Sequence, residues 1–313
     1  MNSDGAAAFH HEALFYGGED EFLAGALPFI EEGLAAGEPV LVAVGGAKIR
    51  LLESRLDGAT DRVRFTDMAE IGRNPACLIP VWREFVDNQA LGGRPVRGIG
   101  EPVWAERSPA ELVECEHHES LVNVAFSDAP AWRLLCSYDT EELEASVIDA
   151  ARRSHPFILD RGRVRRSDAY LAPEEGAGPF EGRLPARPRE AEGLDFARND
   201  LNDVRSHTYR IARRAGLDPE RTANAVLAVS EVATNSVRHA GGHGELRSWT
   251  DDGALLFEVR DEGRIDTPLV GRERPELSEL DGRGLWVVNQ LCDLVQIRSS
   301  SAGNVIRLHT RLE

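Results

Sequence analysis

The stretch "EVATNSVRHA", from Glu231 to Ala240, spaces a carboxylate, an amide and an imidazole four residues apart: Glu231, Asn235 and His239. On an α-helix such residues stack along one face. Val226, Val229, Ala233 and Val237 form an adjacent apolar face that predicts contact with a core. A carboxylate and an amide at that edge cost free energy unless polar partners meet them, so the stripe predicts something polar beside the helix. Three further stretches carry related chemistry. In "VRDEG", Asp261 ends an alternating strand and Gly263 opens a turn. A strand-end carboxylate can accept a hydrogen bond from an exocyclic amine, and glycine lets a flat ring approach the backbone. In "DGRGLWVVNQL", Gly282 and Gly284 precede an apolar helix, whose freed N–H groups and positive dipole end suit phosphate oxygens. "AGNVIRL" carries the pair Gly303-Asn304 into a last strand. Taken singly, each has a plainer explanation as a loop, a turn or a hydrogen-bonded core amide.

The elements that must position these residues follow from periodicity. Two helical patterns, "ARNDLNDVRSHTYRIARRAG" and "DPERTANAVLAVSEVATNSVRHA", precede the strands "GELRSWTDD" and "ALLFEVRDEG". The helix "GLWVVNQLCD" and a hairpin in "LVQIRSSSAGNVIRLHTRL" follow. Helices segregated to one side of a largely antiparallel sheet predict an α+β sandwich. Before it, "APEEGAGPFEGRLPARPREAEG" (172–193) is rich in Pro, Gly and charge and reads as a linker, with the basic run Arg161–Arg166 at its solvated edge. Ahead of the linker, apolar runs such as "PVLVAV" alternate with helical patterns such as "EFLAGALPFIEEGLAAG". That order predicts βαβ units and a mostly parallel sheet covered on both faces. The reading is an α/β domain over 1–160, a linker over 161–193 and an α+β domain over 194–313.

The four stretches, in this order, resemble the boxes of the Bergerat-fold (GHKL) ATPases of the gyrase, histidine-kinase and MutL group. Their spacing is most similar to that of the serine kinase anti-sigma factors of the RsbW and SpoIIAB type. "LAVSEVATNSVRHA" resembles the N box, "VRDEG" the first glycine box, "GRGLWVVNQLCD" the second and "GNVIRL" the last. The resemblance implies that Asn235 binds a Mg²⁺ ion bridging ATP phosphates. It implies that Glu231 is the general base for a partner's Ser or Thr hydroxyl. His239 would face phosphate, Asp261 and Gly263 would frame adenine, and Gly282, Arg283, Gly284 and Leu285 would form part of a lid over the phosphates. Asn304 would stand in the last box. The implied partners are a sigma factor and an anti-anti-sigma factor of the STAS class, and the implied assembly is a homodimer. Two departures stand out: Ile265 replaces the second glycine of the first glycine box, and Asn304 replaces a threonine. An ATP-dependent binding switch without turnover is one alternative. A histidine-kinase-type signalling protein is another, although His207 is followed by Thr208 rather than by an acidic residue.

At the other end, "ALFYGGEDEFLAGALPFIEEGLAAGEPVLVAV" repeats the strand, turn, helix and strand that open a RecA- or KaiC-like P-loop domain. Its loop carries Glu19, Asp20 and Glu21 and no lysine, so it reads as a degenerate P-loop that does not bind ATP. "HHEALFYGGEDEFL", "FIEEGLAAGEPVLVAV", "WAERSPAELVECEHHE" and "LLCSYD" resemble the MEDS sensory domain, which implies a small-molecule ligand. A MEDS-like domain followed by an anti-sigma kinase resembles the RsbA-type regulators of actinobacteria. His10, His11 and "ECEHHE" invite a metal reading: Cys115 and His118 can share a helix face, whereas the adjacent His117 and His118 cannot. No spacing enforces such a site, and ordinary helix residues around a pocket are the plainer expectation. Cys136 reads as a small core residue.

Composition bounds the rest. The 313 residues suffice for two cores, and 42% hydrophobic with 28% charged residues is globular. A formal charge of −17 argues against a direct nucleic-acid partner. No apolar run approaches a membrane span, and the first residues lack a basic start followed by an apolar stretch, so no signal peptide is expected. Four scattered cysteines without CxxC spacing suit a reducing cytoplasm.

Overall fold

The computed structural model describes residues 9–56, 58–173, 180–275 and 283–312. The chain divides into two compact units, Met1–Gly176 and Ala177–Glu313.

The first unit runs β1 (His10–Tyr16), α1 (Gly18–Ala35), β2 (Val40–Val44), α2 (Gly46–Glu53), β3 (Val63–Asp67), α3 (Met68–Ile71), α4 (Leu78–Gln89), β4 (Val96–Gly100), α5 (Pro109–Ala125), β5 (Trp132–Asp139), α6 (Ala145–Ser154), β6 (Phe157–Asp160) and β7 (Arg163–Arg166). Its sheet has the order β3-β2-β4-β5-β1-β6-β7. Every pairing is parallel except β6 with β7. Strand alternation sends Leu14 and Tyr16 of β1, Ile99 of β4 and Leu135 of β5 to a core shared with α1 and α2. His11, Ala13, Leu134 and Cys136 turn the other way, beneath α4, α5 and α6. A sheet covered on both faces explains the unbroken "VLVAV" of β2, all five residues of which are buried. Ser108 starts α5 with a capping box: its hydroxyl accepts from Glu111 N while Glu111 accepts from Ser108 N. The basic run expected at the edge of a linker is instead the exposed edge strand β7, where arginines blunt an unpaired rim.

The second unit contains β8 (Glu192–Ala197), α7 (Leu201–Arg214), α8 (Pro219–His239), β9 (His243–Asp251), β10 (Ala254–Asp261), α9 (Arg283–Leu291), β11 (Leu294–Ser300) and β12 (Gly303–Arg311). The sheet order is β11-β12-β10-β9-β8, antiparallel throughout. Leu255, Phe257 and Val259 of β10 meet Val229, Val232 and Ala233 of α8 in one core. The opposite face is polar yet covered. Buried Glu258 accepts two hydrogen bonds from Arg307, at 3.1 and 2.6 Å, and one from Arg260 at 2.8 Å. Residues within the stretch read as a linker lie on this unit. Arg307 donates to the Pro185 carbonyl, and Arg187 pairs with Glu245. The Phe180 carbonyl accepts from Ser299 N.

Candidate functional site

The 21 residues of α8 are capped by Asp218, whose side chain accepts from Arg221 N, with Pro219 in the first turn. Its buried stripe is Ala225, Ala228, Val229, Val232, Ala233 and Ser236. Val226 and Val237, expected in the core face, are only partly buried, so that face is rotated slightly from the predicted one. Glu231 and Asn235 stand half-buried at its edge, and His239 is exposed at the helix end. Among the described residues, neither the Glu231 carboxylate nor the Asn235 amide makes a hydrogen bond or an ion pair.

The β10–β12 register brings Asp261 opposite Asn304. One carboxylate oxygen of Asp261 accepts from Gly263 N at 2.9 Å and from the Asn304 amide at 2.7 Å. The other accepts from the Ser236 hydroxyl at 2.6 Å. Asn304 in turn accepts from Ser299 Oγ at 2.7 Å, and Ser299 accepts from Ile265 N at 2.9 Å. A carboxylate offers roughly four acceptor sites, and three are filled here, so one remains for an outside donor. Asn304 thus gives the network both a donor and an acceptor. Ile265 packs against the core, and its backbone joins the network.

Three glycines fix close approaches around these groups. At Gly303, with φ +110°, an added Cβ would fall 2.1 Å from the Asp261 carbonyl oxygen. At Gly263 it would meet Ala240 at 2.6 Å and the Asn304 amide at 2.9 Å. At Gly284 it would stand 3.1 Å from both Asn235 Nδ2 and Glu231 Oε2. The start of α9 is thus set directly against the polar stripe of α8. Arg283 opens α9 and Leu285 is buried in the core. Gly282 lies outside the described residues.

Two cavities touch this region from different sides. One of about 630 Å³ reaches Asp261 between Phe196, His243 and Arg260, without extending to Glu231 or Asn235. The other, about 460 Å³, is a groove between α7 and α8 lined by Glu231, Arg205, Tyr209 and Leu227. Tyr209 and Leu227 are exposed despite their apolar bulk. His207 is half-buried, 3.4 Å from Ser248 Oγ and 3.1 Å from Arg210. Burial, then the Arg210 charge, hold its imidazole below the usual range. Ser236, Ser299 and Arg205 escaped the sequence reading. Only the position of Ser236, directly after Asn235 on the buried side of the helix, marked it.

In the first unit, a cavity of about 570 Å³ lies at the carboxyl ends of the parallel strands, where open α/β sheets hold ligands. Seven carboxylates line it, among them Glu19, Asp67, Glu101 and Asp139, against one lysine, Lys48. Lys48 is itself paired with Glu101. Of the candidate metal stretches, the structure brings His11 and Glu119 together at 3.0 Å and leaves His10, Cys115 and His118 outside that cluster. His10 stacks on Phe157, and Cys115 donates to the Pro102 carbonyl at 3.3 Å, its thiol pushed up to about 12 by burial. Cys136, expected as an ordinary core residue, is buried but lies 3.5 Å from His11 Nε2 in a polar cluster that includes neither Cys115 nor His118.

Comparison with known proteins agrees with the two-unit layout. Residues 10–156 match the family described as MEDS, the MEthanogen/methylotroph, DcmR Sensory domain. Residues 196–310 match the histidine kinase-like ATPase domain. The chain therefore carries a MEDS domain followed by a histidine kinase-like ATPase domain, and its antiparallel sheet with helices is consistent with a GHKL-like fold. An ATPase domain of this kind implies ATP binding. No curated protein matches the chain. Among solved structures, the chain is similar to the RsbU and RsbW domains of Rv1364c from Mycobacterium tuberculosis, at 20% identity and a TM-score of 0.29. That alignment covers 38% of this chain and 32% of the other, so the chain spans about a third of that relative's length. It is also similar to the Acinetobacter baumannii histidine kinase AdeS, at 12% identity and a TM-score of 0.25, over 39% and 68% of the two chains. Among the described residues no helix is long and apolar enough to cross a membrane.

Proposed function

We propose that the second unit binds Mg·ATP, sequesters a sigma factor and phosphorylates a Ser or Thr of an anti-anti-sigma partner of the STAS class. The first unit regulates this choice by binding a small molecule, as in RsbA-type regulators. The observation that carries the reading is the pair of polar centres on α8 and β10. Asp261 is held by Ser236, Gly263 and Asn304 with one acceptor site left over, while Asn235 and Glu231 stand unengaged beside Gly284. Adenine's amino group suits the first centre. The Asn235 amide oxygen suits Mg²⁺, which takes few protein ligands beside phosphates and water, and the N–H groups at the start of α9 suit phosphate. Bound Mg·ATP would supply the phosphoryl group and neutralise its charge.

Glu231 is the residue assigned to the protein substrate. It borders the groove with Arg205, Tyr209 and Leu227, so a hydroxyl presented there can reach its carboxylate. Phosphorylation of His207 fits less well, because that ring sits half-buried between Ser248 and Arg210 on the ATPase unit itself. The acidic cavity of the first unit suits a cationic or amine-bearing molecule and repels a triphosphate.

The test is phosphate transfer from labelled ATP to cognate STAS candidates by wild type and Glu231→Ala, with nucleotide binding measured on both. Transfer lost in Glu231→Ala with binding kept supports the assignment. Transfer unaffected by the change removes Glu231 as base. Nucleotide binding without transfer to any cognate partner favours the switch without turnover.

A further inference from the structure

In the first unit, four side chains from four separate elements converge with their ligand atoms. His11 lies on β1, Glu119 on α5, Cys136 on β5, and His155 directly after α6. None is more than 3% exposed. One ligand atom from each lies within 4.8 Å of all the others. Glu119 Oε2 is 3.0 Å from Nε2 of His11 and 3.0 Å from Nε2 of His155. Cys136 Sγ is 3.5 Å from His11 Nε2.

His155 Nδ1 lies 2.7 Å from the Ala151 carbonyl oxygen, which can only accept, so that nitrogen carries hydrogen. His11 Nδ1 faces Asn123 Oδ1 at 3.1 Å. The amide nitrogen of Asn123 is committed to the Glu119 and Ser154 carbonyls at 3.3 and 2.8 Å, which fixes its oxygen towards His11. His11 Nδ1 therefore carries hydrogen too. With both rings neutral, His11 Nε2 has only the weak Cys136 thiol donor at 3.5 Å, and His155 Nε2 directs a bare lone pair at a carboxylate that has only lone pairs to return. Protonating one ring gives it an ion pair with Glu119 across 3.0 Å but leaves the other Nε2 facing the same carboxylate oxygen. Among the described residues, His155 Nε2 and both Glu119 oxygens have no partner in hydrogen-bond geometry, despite the 3.0 Å approaches. Charging both rings would also set two cations with centroids 4.0 Å apart.

We propose that this cluster binds a divalent first-row transition ion of the zinc class, through Nε2 of His11 and His155, the Cys136 thiolate and the Glu119 carboxylate. A cation at the centre satisfies every inward lone pair at once. The thiolate and imidazoles select a borderline-soft ion over Mg²⁺ or Ca²⁺. Bonds of 2.0–2.3 Å in a tetrahedron put ligand atoms roughly 3.3–3.8 Å apart, so small closing movements complete the geometry. Asn123 and the Ala151 carbonyl are the outer partners that orient ligating histidines. Binding releases the Cys136 thiol proton to solvent as the sulfur–metal bond forms. A cavity of about 450 Å³, lined by Arg107, Cys115, Glu119, Tyr138 and Ser154, provides an entry path that ends at Glu119.

The experiment uses the full chain, stripped with chelator and titrated with Co²⁺ alone as a visible probe. The expected result is one Co²⁺ per chain, with tetrahedral d–d bands and a near-ultraviolet thiolate charge-transfer band, both abolished by added Zn²⁺. Cys136→Ser removes the charge-transfer band, whereas Cys115→Ser, a buried cysteine outside the cluster, leaves it. Asn123→Ala weakens Co²⁺ affinity roughly 10–100-fold while keeping the band. Circular dichroism confirms that each variant is folded, and Cys136→Ala, with the same expected loss of the band, replaces Cys136→Ser if the latter is not. Folded wild-type protein without a thiolate band, or a band that survives Cys136→Ser, overturns the site.

Discussion

Asp261→Asn exchanges one carboxylate oxygen for an amino group in the same shape, and the network around it dictates which one. The oxygen accepting from Gly263 N and the Asn304 amide must stay an oxygen, so the new amino group faces Ser236. The Ser236 hydroxyl can then turn fully to the Val232 carbonyl, 3.2 Å away, and accept from the amide. All pairings survive but the charge is lost. Hydrogen bonds to a charged group contribute about 1.5–3 kcal/mol against about 0.5–1.5 for neutral ones, a difference near 1 kcal/mol for each of three bonds. Asp261 is only half-buried, and screening cuts the sum to about 1–2 kcal/mol. Melting of the second unit should fall by roughly 3–8 °C. Nucleotide binding should suffer more, because the adenine amino group now meets an N–H donor. A lost charge-assisted bond plus an unpaired donor costs about 3 kcal/mol, or roughly 100-fold in ATP affinity. Guanine offers a carbonyl at that position, so the preference for ATP over GTP should collapse. Calorimetric titration of both nucleotides with Mg²⁺, beside thermal melts without nucleotide, measures all three quantities. ATP affinity within threefold of wild type, or an unchanged ATP-to-GTP ratio, refutes the adenine assignment.

Gly303→Ala should destabilise the second unit by about 3 kcal/mol in urea unfolding, since φ is +110° and the new Cβ would fall 2.1 Å from the Asp261 carbonyl oxygen. Glu258→Ala should cost about 3–5 kcal/mol by the same assay, because it leaves Arg307, 4% exposed, without its carboxylate. Glu258→Gln should cost less. His207 should titrate below 6.5 by NMR, as burial and then Arg210 disfavour its cation. Its lowered pKa means that the unfolded chain binds the proton more readily, so its contribution to the second unit's stability is complete above pH 6.5 and is lost as pH falls through and below that value. Titration at or above 6.5 contradicts this.

What the sequence disclosed follows the strength of its local signals. Long periodic segments were readable: α8 was expected almost to the residue, and buried strands such as β2 announced themselves as short apolar runs. Strand β6 has only four residues, and β7 is almost entirely arginine, so neither carries an alternating apolar pattern. Helix α6 follows a polar turn and buries only Ile148, Ala151 and Ser154. Strand β8, "EGLDFA", is an edge strand whose register comes from β9. The binding of Phe180, Pro185 and Arg187 to the second unit was illegible for a related reason. Their partners Ser299, Arg307 and Glu245 are remote in sequence, and a Pro- and Gly-rich composition gives no hint of them.

The two candidate sites show the same limit in chemical form. Glu231, Asn235 and Asp261 were recognisable because helix stacking and strand ends give a spacing that sequence displays directly. The metal cluster has no such spacing. Close spacing on one helix singled out Cys115 and His118, but the four converging ligands are brought together by pleat parity and helix packing. Parity separates His10, which stacks on Phe157, from His11, which turns with Cys136 to the face beneath α5. Packing then delivers Glu119 from α5 and His155 from the end of α6. Residues 11, 119, 136 and 155 have no common period, so only a folded chain can place them around one point. Their burial is the telling feature: two imidazole nitrogens and a thiol packed around one buried carboxylate leave inward lone pairs that a single central cation satisfies together.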